Sequence, residues 1–276
     1  MAQTRLITLA ALTLLACSCE YSYSWQKSVM DGHRTGVSAP AADNVPAALG
    51  TLSGDTYTAP NGKTFAKGSA TYAAAQELIA VQPRMAALKE VIGHTDRSFE
   101  AHSPESELSN WLVDHVMEDV ARLTGRKVDV GICNCGGIRV DLPKGEVQMD
   151  DLVSMFPFTN YLTYVGLKGS DLQAIFDYMA ETRPQVLGGV KFVLTDHHID
   201  TLLVGGKPID PNRTYGVATI DFLLDGGDGL TVAKNARELI ITDCLIIDSM
   251  LPYARSFAAE GKNIDYFTDG RVVVKR

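Results

Sequence analysis

Apolar positions change their spacing several times along the chain, and each change marks a predicted element. Leu6 to Ala16 is almost wholly apolar, with Arg5 before it and Cys17 after it. The run is shorter than the roughly 20 residues that cross a membrane as a helix, and its layout is that of an export signal. Residues 20–68 lose periodicity and are rich in Ser, Thr, Gly, Asn, Pro and Ala. They read as a tether and a loop-rich extension, with short strands near Gly50–Tyr57. Between Ala70 and Ile92, apolar residues return at helical spacing (Leu78, Ile79, Met85, Leu88, Ile92), with a break predicted at Pro83. A second helix is predicted to open at Ser103-Pro104-Glu105, where Ser suits the N-cap and Pro the first turn. Its apolar stripe is Leu108, Leu112, Val116 and Val120, and Gly125 stops it.

Further on, strands and helices interleave. Strands are predicted at Val128–Cys133, Glu146–Met149, Asn160–Leu167, Val190–Leu194, Leu202–Val204, Tyr215–Ile220, Ile264–Phe267 and Val272–Val274. Helices are predicted from an Asp150 cap to Met155, from a Ser170 cap to about Glu181, and over Cys244–Ala259. No strict strand–helix–strand rhythm runs through them. The expected fold is therefore α+β, a mixed sheet packed with helices. The expected division is a signal at 1–16, a tether and extension at 17–68, and one main domain at 69–276.

Composition narrows the partners. Of 276 residues, 46% are hydrophobic and 21% charged, which excludes wholesale disorder. A net charge of −8 argues against nucleic acid as a partner, since tracking a phosphate backbone needs clustered Lys and Arg. One small anion stays within reach of a local Arg and backbone N–H groups. Leu14-Leu15-Ala16-Cys17 resembles the lipobox of bacterial lipoproteins. Lipidation of Cys17 would make this an exported protein, facing the periplasm or cell surface and touching the membrane through its lipid anchor alone. Cys133 and Cys135 supply at most two of the about four ligands a structural zinc takes, so they read as small apolar residues around a turn.

Two glycine loops carry candidate chemistry. Asn134-Cys135-Gly136-Gly137-Ile138-Arg139 follows a strand, and its Arg offers a planar fork for phosphate or carboxylate. Thr219-Ile220-Asp221-Phe222-Leu223-Leu224-Asp225-Gly226-Gly227-Asp228-Gly229 puts an aromatic ring beside acidic glycine turns. It lacks the alternating ligands and terminal Glu of a calcium loop. Pro157-Phe158-Thr159-Asn160 lies between the two, with another aromatic at a strand entrance.

With Glu107-Leu108-Ser109-Asn110 before them and Asp210-Pro211-Asn212-Arg213-Thr214-Tyr215 among them, these motifs resemble, in order, the C-terminal domain of the 5′-nucleotidases. The resemblance runs from about residue 85 to the C-terminus. It implies that Phe158 and Phe222 sandwich a base, that Asp228 accepts ribose hydroxyls, and that Asn134 and Arg139 hold ribose and phosphate oxygens. It makes Gly136, Gly137, Gly226, Gly227 and Gly229 the turn-forming residues of the two loops. Cys135 stands where a third glycine is common, and Glu107 where some relatives carry an Arg facing the phosphate.

In that family a separate N-terminal domain holds two metal ions that activate water. Its Gly-Asn-His and Gly-His-x-His motifs are not found here, and the six His are scattered. Asp31-Gly32-His33 and Asp196-His197-His198 read as solvated turns. The expectation is a nucleoside- or nucleotide-binding half of a nucleotidase with no cofactor of its own. It would act with a separately encoded metallophosphatase that carries the divalent metals. A stand-alone phosphohydrolase using an unrecognised site, and a non-catalytic scavenging or scaffold lipoprotein, are the alternatives.

Overall fold

A computed structural model describes residues 44–275. The expectations for the export signal, Cys17 and His33 lie outside the described residues. The first described segment is α1 (Val45–Leu49), followed by β1 (Thr51–Ser53), β2 (Thr56–Thr58) and β3 (Thr64–Ala66). These strands form an antiparallel meander in the order β1-β2-β3. The strands expected near Gly50–Tyr57 are thus present, and the extension is more regular than its composition suggested. Helix α2 (Ala70–Met85) packs on the meander, and Tyr57, Tyr72 and Ala75 make a small core of their own. The expected boundary at 68/69 falls inside this unit. Pro83 does not break α2. It removes only one helical hydrogen bond, and the helix ends two residues later in a tighter turn over Ala86–Lys89.

Residues predicted as the end of that helix instead form β4 (Val91–Thr95), paired antiparallel with β6 (Gly145–Gln148). Helix α3 (Glu107–Thr124) begins later than the Ser103 cap predicts. Ser106 is the cap: its Oγ accepts from the Ser109 N–H at 3.1 Å, and Ser109 Oγ accepts from the Ser106 N–H at 2.9 Å. This reciprocal pair satisfies two N-terminal donors that Ser103 could not reach. The predicted stripe of Leu108, Leu112, Val116 and Val120 is fully buried, and Gly125 ends the helix in the left-handed conformation.

The principal sheet contains β5 (Val130–Cys133), β7 (Tyr161–Lys168), β8 (Val186–Gly188), β11 (Thr214–Ile220) and β12 (Glu238–Leu245). Its order is β12-β7-β11-β5-β8. Only β11 and β5 run parallel, so the sheet is mixed and the fold is α+β as expected. Helices α3 and α5 (Gly169–Glu181) both pack on β7 and β11. Successive residues of β7 and β11 are buried, which requires both faces of the sheet to be covered. A second sheet, β10-β9-β13, joins the hairpin β9 (Val190–Thr195) and β10 (His198–Val204) to β13 (Val272–Lys275). Helices α4 (Met149–Met155) and α6 (Ile246–Ala259) complete the larger core.

Several local expectations shift. Gln148, closed by Asp151, caps α4 in place of Asp150, and α5 starts at Gly169 rather than behind a Ser170 cap. Residues 238–245 form an edge strand with alternating burial, so α6 begins at Ile246. β8 is too short for its periodicity to show. Ile264–Phe267 is irregular, because its backbone bonds reach outside any ladder: the Ile264 N–H donates to His94 O and the Phe267 carbonyl accepts from Asn110 Nδ2.

Replacing Ser106 with Ala is expected to cost about 1 kcal/mol of unfolding free energy, the usual value of a lost cap. Ser103→Ala should be near neutral. Urea unfolding of both variants checks the assignment.

Candidate functional site

The sheet register brings the loops together. Ala218 on β11 pairs with Gly131 on β5 in parallel, so both strands exit at one edge. Antiparallel partners enter there: Leu162 of β7 lies opposite Ile220, and Val186 of β8 opposite Cys133. Side by side along that edge stand the Pro157–Asn160 entrance, the Asp221–Gly229 loop, the Asn134–Arg139 loop and the Arg183–Gln185 entrance. Asn134, Arg139, Phe158, Phe222 and Asp228 therefore all sit at the same edge of one sheet.

Specific contacts lock these loops to one another. The Arg139 guanidinium carbon lies 5.9 Å from the Phe158 ring centroid, a cation–π distance. Its Nη1 donates to the Gly136 carbonyl at 3.2 Å, and its backbone N–H donates to Met155 O at 3.0 Å. Arg139 thus ties the β5 loop to the β7 entrance. Asp221 makes the next tie: its Oδ1 accepts from the Tyr161 N–H at 3.0 Å and from the Phe222 N–H at 2.9 Å. Gln185, almost fully buried, accepts from the Cys135 N–H at 3.1 Å. Arg183 Nη2 lies 3.9 Å from Asp228 Oδ1.

Phe158 and Phe222 are 47% and 46% exposed. Neither has been drawn into the core, although comparable rings at Phe176 and Phe192 are fully buried. Asn134 is buried, and its carboxamide lies over Gly137. Asp228 holds a positive φ of 49°, which Asp tolerates better than most residues. Gly227 is required by a close approach: a Cβ there would lie 2.0 Å from the Phe222 carbonyl oxygen.

Burial pushes the Cys133 thiol up to about 12 and raises Cys135 as well. Both are free thiols held neutral, chemistry suited to packing a turn. Among the described residues no three His, Cys, Asp or Glu side chains are grouped to hold a metal ion. His197 sits in the β9–β10 turn, with Nδ1 3.0 Å from Ala180 O. Glu107 does not stand alone as a repelling charge, because Arg97 Nη2 lies 3.6 Å from its carboxylate. Asn110 is consumed internally by Glu105 and Phe267.

Sequence reasoning assigned no role to Asp221, Gln185 or Arg183. Asp221 carried a local signal, an Asp directly after a strand and before a turn. Gln185 and Arg183 reach partners far along the chain, which no local pattern announces.

Residues 91–235 match the family described as 5′-nucleotidase, C-terminal domain. Protein UshA of Escherichia coli strain K12 is 28% identical over 138 residues, covering 48% of this chain and 25% of that protein. An apyrase of Tabanus yao is 30% identical over 175 residues, covering 54% of this chain and 31% of the apyrase. Among solved structures, the 5′-nucleotidase precursor from Thermus thermophilus superposes with a TM-score of 0.64 at 24% identity, covering 82% of this chain and 48% of that one. This chain thus spans a third or less of the curated relatives and about half of the solved one.

Gly227→Ala is expected to destabilise by about 1–3 kcal/mol, the usual range for an inserted methyl with no room. Gly136→Ala, whose Cβ would meet nothing closer than 3.8 Å, should leave the melting temperature nearly unchanged. Thermal unfolding of the pair tests how rigidly the Phe222 loop is packed.

Proposed function

Because the chain belongs to the 5′-nucleotidase C-terminal domain family, we propose that this sheet edge binds the nucleoside end of a nucleotide. Phe158 and Phe222 take the base between them, Asp228 accepts the ribose hydroxyls, and Asn134 with Arg139 holds ribose and phosphate oxygens. The observation that carries this reading is the pair of half-exposed phenylalanines held at one edge by Arg139, Asp221 and the glycine turns. A flat apolar ring is bound by stacking, and a sugar by an acceptor at its hydroxyls. The edge offers both.

On this reading the protein is the substrate-holding half of a nucleotidase-type phosphohydrolase. Hydrolysis of a phosphate monoester is very slow without a catalyst and calls for activated water. That chemistry is assigned to a separately encoded metallophosphatase that closes over the same edge and carries the divalent metals. Export, with anchoring through a lipid on Cys17, belongs to the same proposal. It is supported by the pattern of residues 1–17, an Arg, an apolar run and then Cys17.

Isothermal titration with adenosine tests the platform. Each of Phe158→Ala and Phe222→Ala is expected to weaken binding about 5- to 150-fold, the equivalent of about 1–3 kcal/mol for a lost base stack. Adenosine failing to bind the wild-type protein, or binding both variants equally well, would remove the reading.

A further inference from the structure

The two outer strands of the principal sheet are unlike. One is β8, three buried residues long. The other is β12, eight residues long, and among the described residues no strand pairs with its outer side. A long free edge is a template for another strand, and proteins that must stay apart blunt such edges with Lys, Pro or a very short strand. Glu238–Leu245 contains neither Lys nor Pro.

One face of this edge carries a stripe. Exposure alternates along the strand, so that Arg237, Leu239, Ile241 and Asp243 stand open on the same side. The register against β7 shifts after Ile241, yet the alternation runs on through Asp243. Leu239 is 45% and Ile241 52% exposed, in proportion much like the two rings of the nucleoside platform. On the opposite face Glu238 is already engaged, with Arg126 Nη2 2.6 Å from its carboxylate. Arg237 and Asp243 have no ion-pair partner among the described residues.

The stripe runs cation, apolar, apolar, anion, and read backwards it is its own complement. In an antiparallel pair, directly opposite residues share a face and interact. A second copy laid antiparallel with Ile240 on a two-fold axis sets Arg237 against Asp243 and Leu239 against Ile241, and each pair occurs twice. Moving the centre to Leu239 sets Arg237 against Ile241. Moving it to Ile241 sets Asp243 against Leu239. Only the Ile240 register matches charge and apolar surface together, and such self-complementarity fits a copy of the same strand.

We propose that β12 is a self-association surface, where two copies of this chain join edge to edge about Ile240. The two five-stranded sheets then become one continuous sheet. β12 ends beside the start of β7, at the edge that carries the nucleoside platform. The antiparallel arrangement therefore sends the two platforms to opposite ends of the joined sheet, and neither is covered. Nothing in this pairing depends on what the platform binds.

Sedimentation equilibrium of the full chain over a range of concentrations tests it, with the wild type, Arg237→Asp and Asp243→Arg each run alone. The wild type is expected to pass from monomer to dimer. Each variant places like charges opposite each other twice across the axis and should weaken the dimer about tenfold or more. An equimolar mixture of the two variants should dimerise again, because in the mixed pair each Asp at 237 or 243 faces an Arg. A second reading needs no variant: hydrogen exchange of wild-type β12 amides should slow as concentration rises through the transition, while that of β8 stays the same. A monomeric wild type overturns the proposal, as does a dimer that survives in both single variants, which would mean association through another surface. Variants that stay monomeric when mixed, with wild-type β12 exchange independent of concentration, overturn it as well.

Discussion

One parallel pairing organises this molecule. β5 and β11 run side by side in the same direction within a sheet whose other neighbours are antiparallel. A parallel pair cannot be closed by a tight turn and needs a long crossover. Here the crossover is the whole of residues 134–213, which includes β7, α5, β8 and the β9–β10 hairpin. The strands it inserts beside the pair must then enter where β5 and β11 leave. The one parallel contact of this sheet gathers loops separated by some ninety residues of sequence, because reversing it would send the Asn134 and Phe222 loops to opposite ends of the sheet. Space for the pairing is provided by α3. Gly131 and Gly188 offer no side chain to that helix, and a Cβ at either would lie 2.5 Å from Val113 or Met117. The helix therefore sits directly on the strands that end at the site.

The same helix links the site edge to the C-terminal segment. Residues 126–129 join α3 to β5, too short a link for anything but a reversal, so the N-terminus of α3 lies toward the edge where β5 exits. Buried Glu105, just ahead of the Ser106 cap, accepts from Asn110 Nδ2 at 2.8 Å and from the backbone N–H of Asp269 at 2.8 Å and Gly270 at 3.2 Å. Arg271 bonds both Asp114 and Asp269. Burial alone would lower its pKa, and the two carboxylates more than offset that and raise it. A buried charge satisfied this fully is costly to leave half-paired. The network fixes where the chain returns before β13.

Much of this was legible from sequence, and what was not has physical causes. The α3 stripe, the strands at 161–168 and 214–220 and the mixed α+β character followed from apolar spacing, because those elements are long and amphipathic or buried. Caps were misread where a nearby Ser or Asp looked suitable but the backbone put the start elsewhere, as with Ser103, Asp150 and Ser170. β12 was missed because Leu239 and Ile241 point outward on an edge strand, so its alternation does not track burial in the usual sense. The predicted ligand residues were found as motifs and do converge on one edge. Their anchors Asp221 and Gln185, and the neighbouring Arg183, act across the fold through contacts that only the register defines.

The two half-exposed rings make the most of that register. Folding has a strong incentive to bury phenylalanine, at roughly 25 cal/mol per Å² of apolar surface. In this chain Phe176 and Phe192 are buried completely. Phe158 and Phe222 are kept out by positive constraints. Phe222 follows a carboxylate that holds its own N–H, and the carbonyl behind it leaves no room for a side chain at Gly227. Phe158 carries a guanidinium against its ring, which a buried position would have to desolvate. Apolar surface held open in this way still has its burial free energy to release. On the proposed reading a flat base releases it, and the acceptors and donors that flank the rings decide which sugar and phosphate arrive with that base. Stacking would then supply affinity with little regard to the base, and selectivity would rest with Asp228, Asn134 and Arg139.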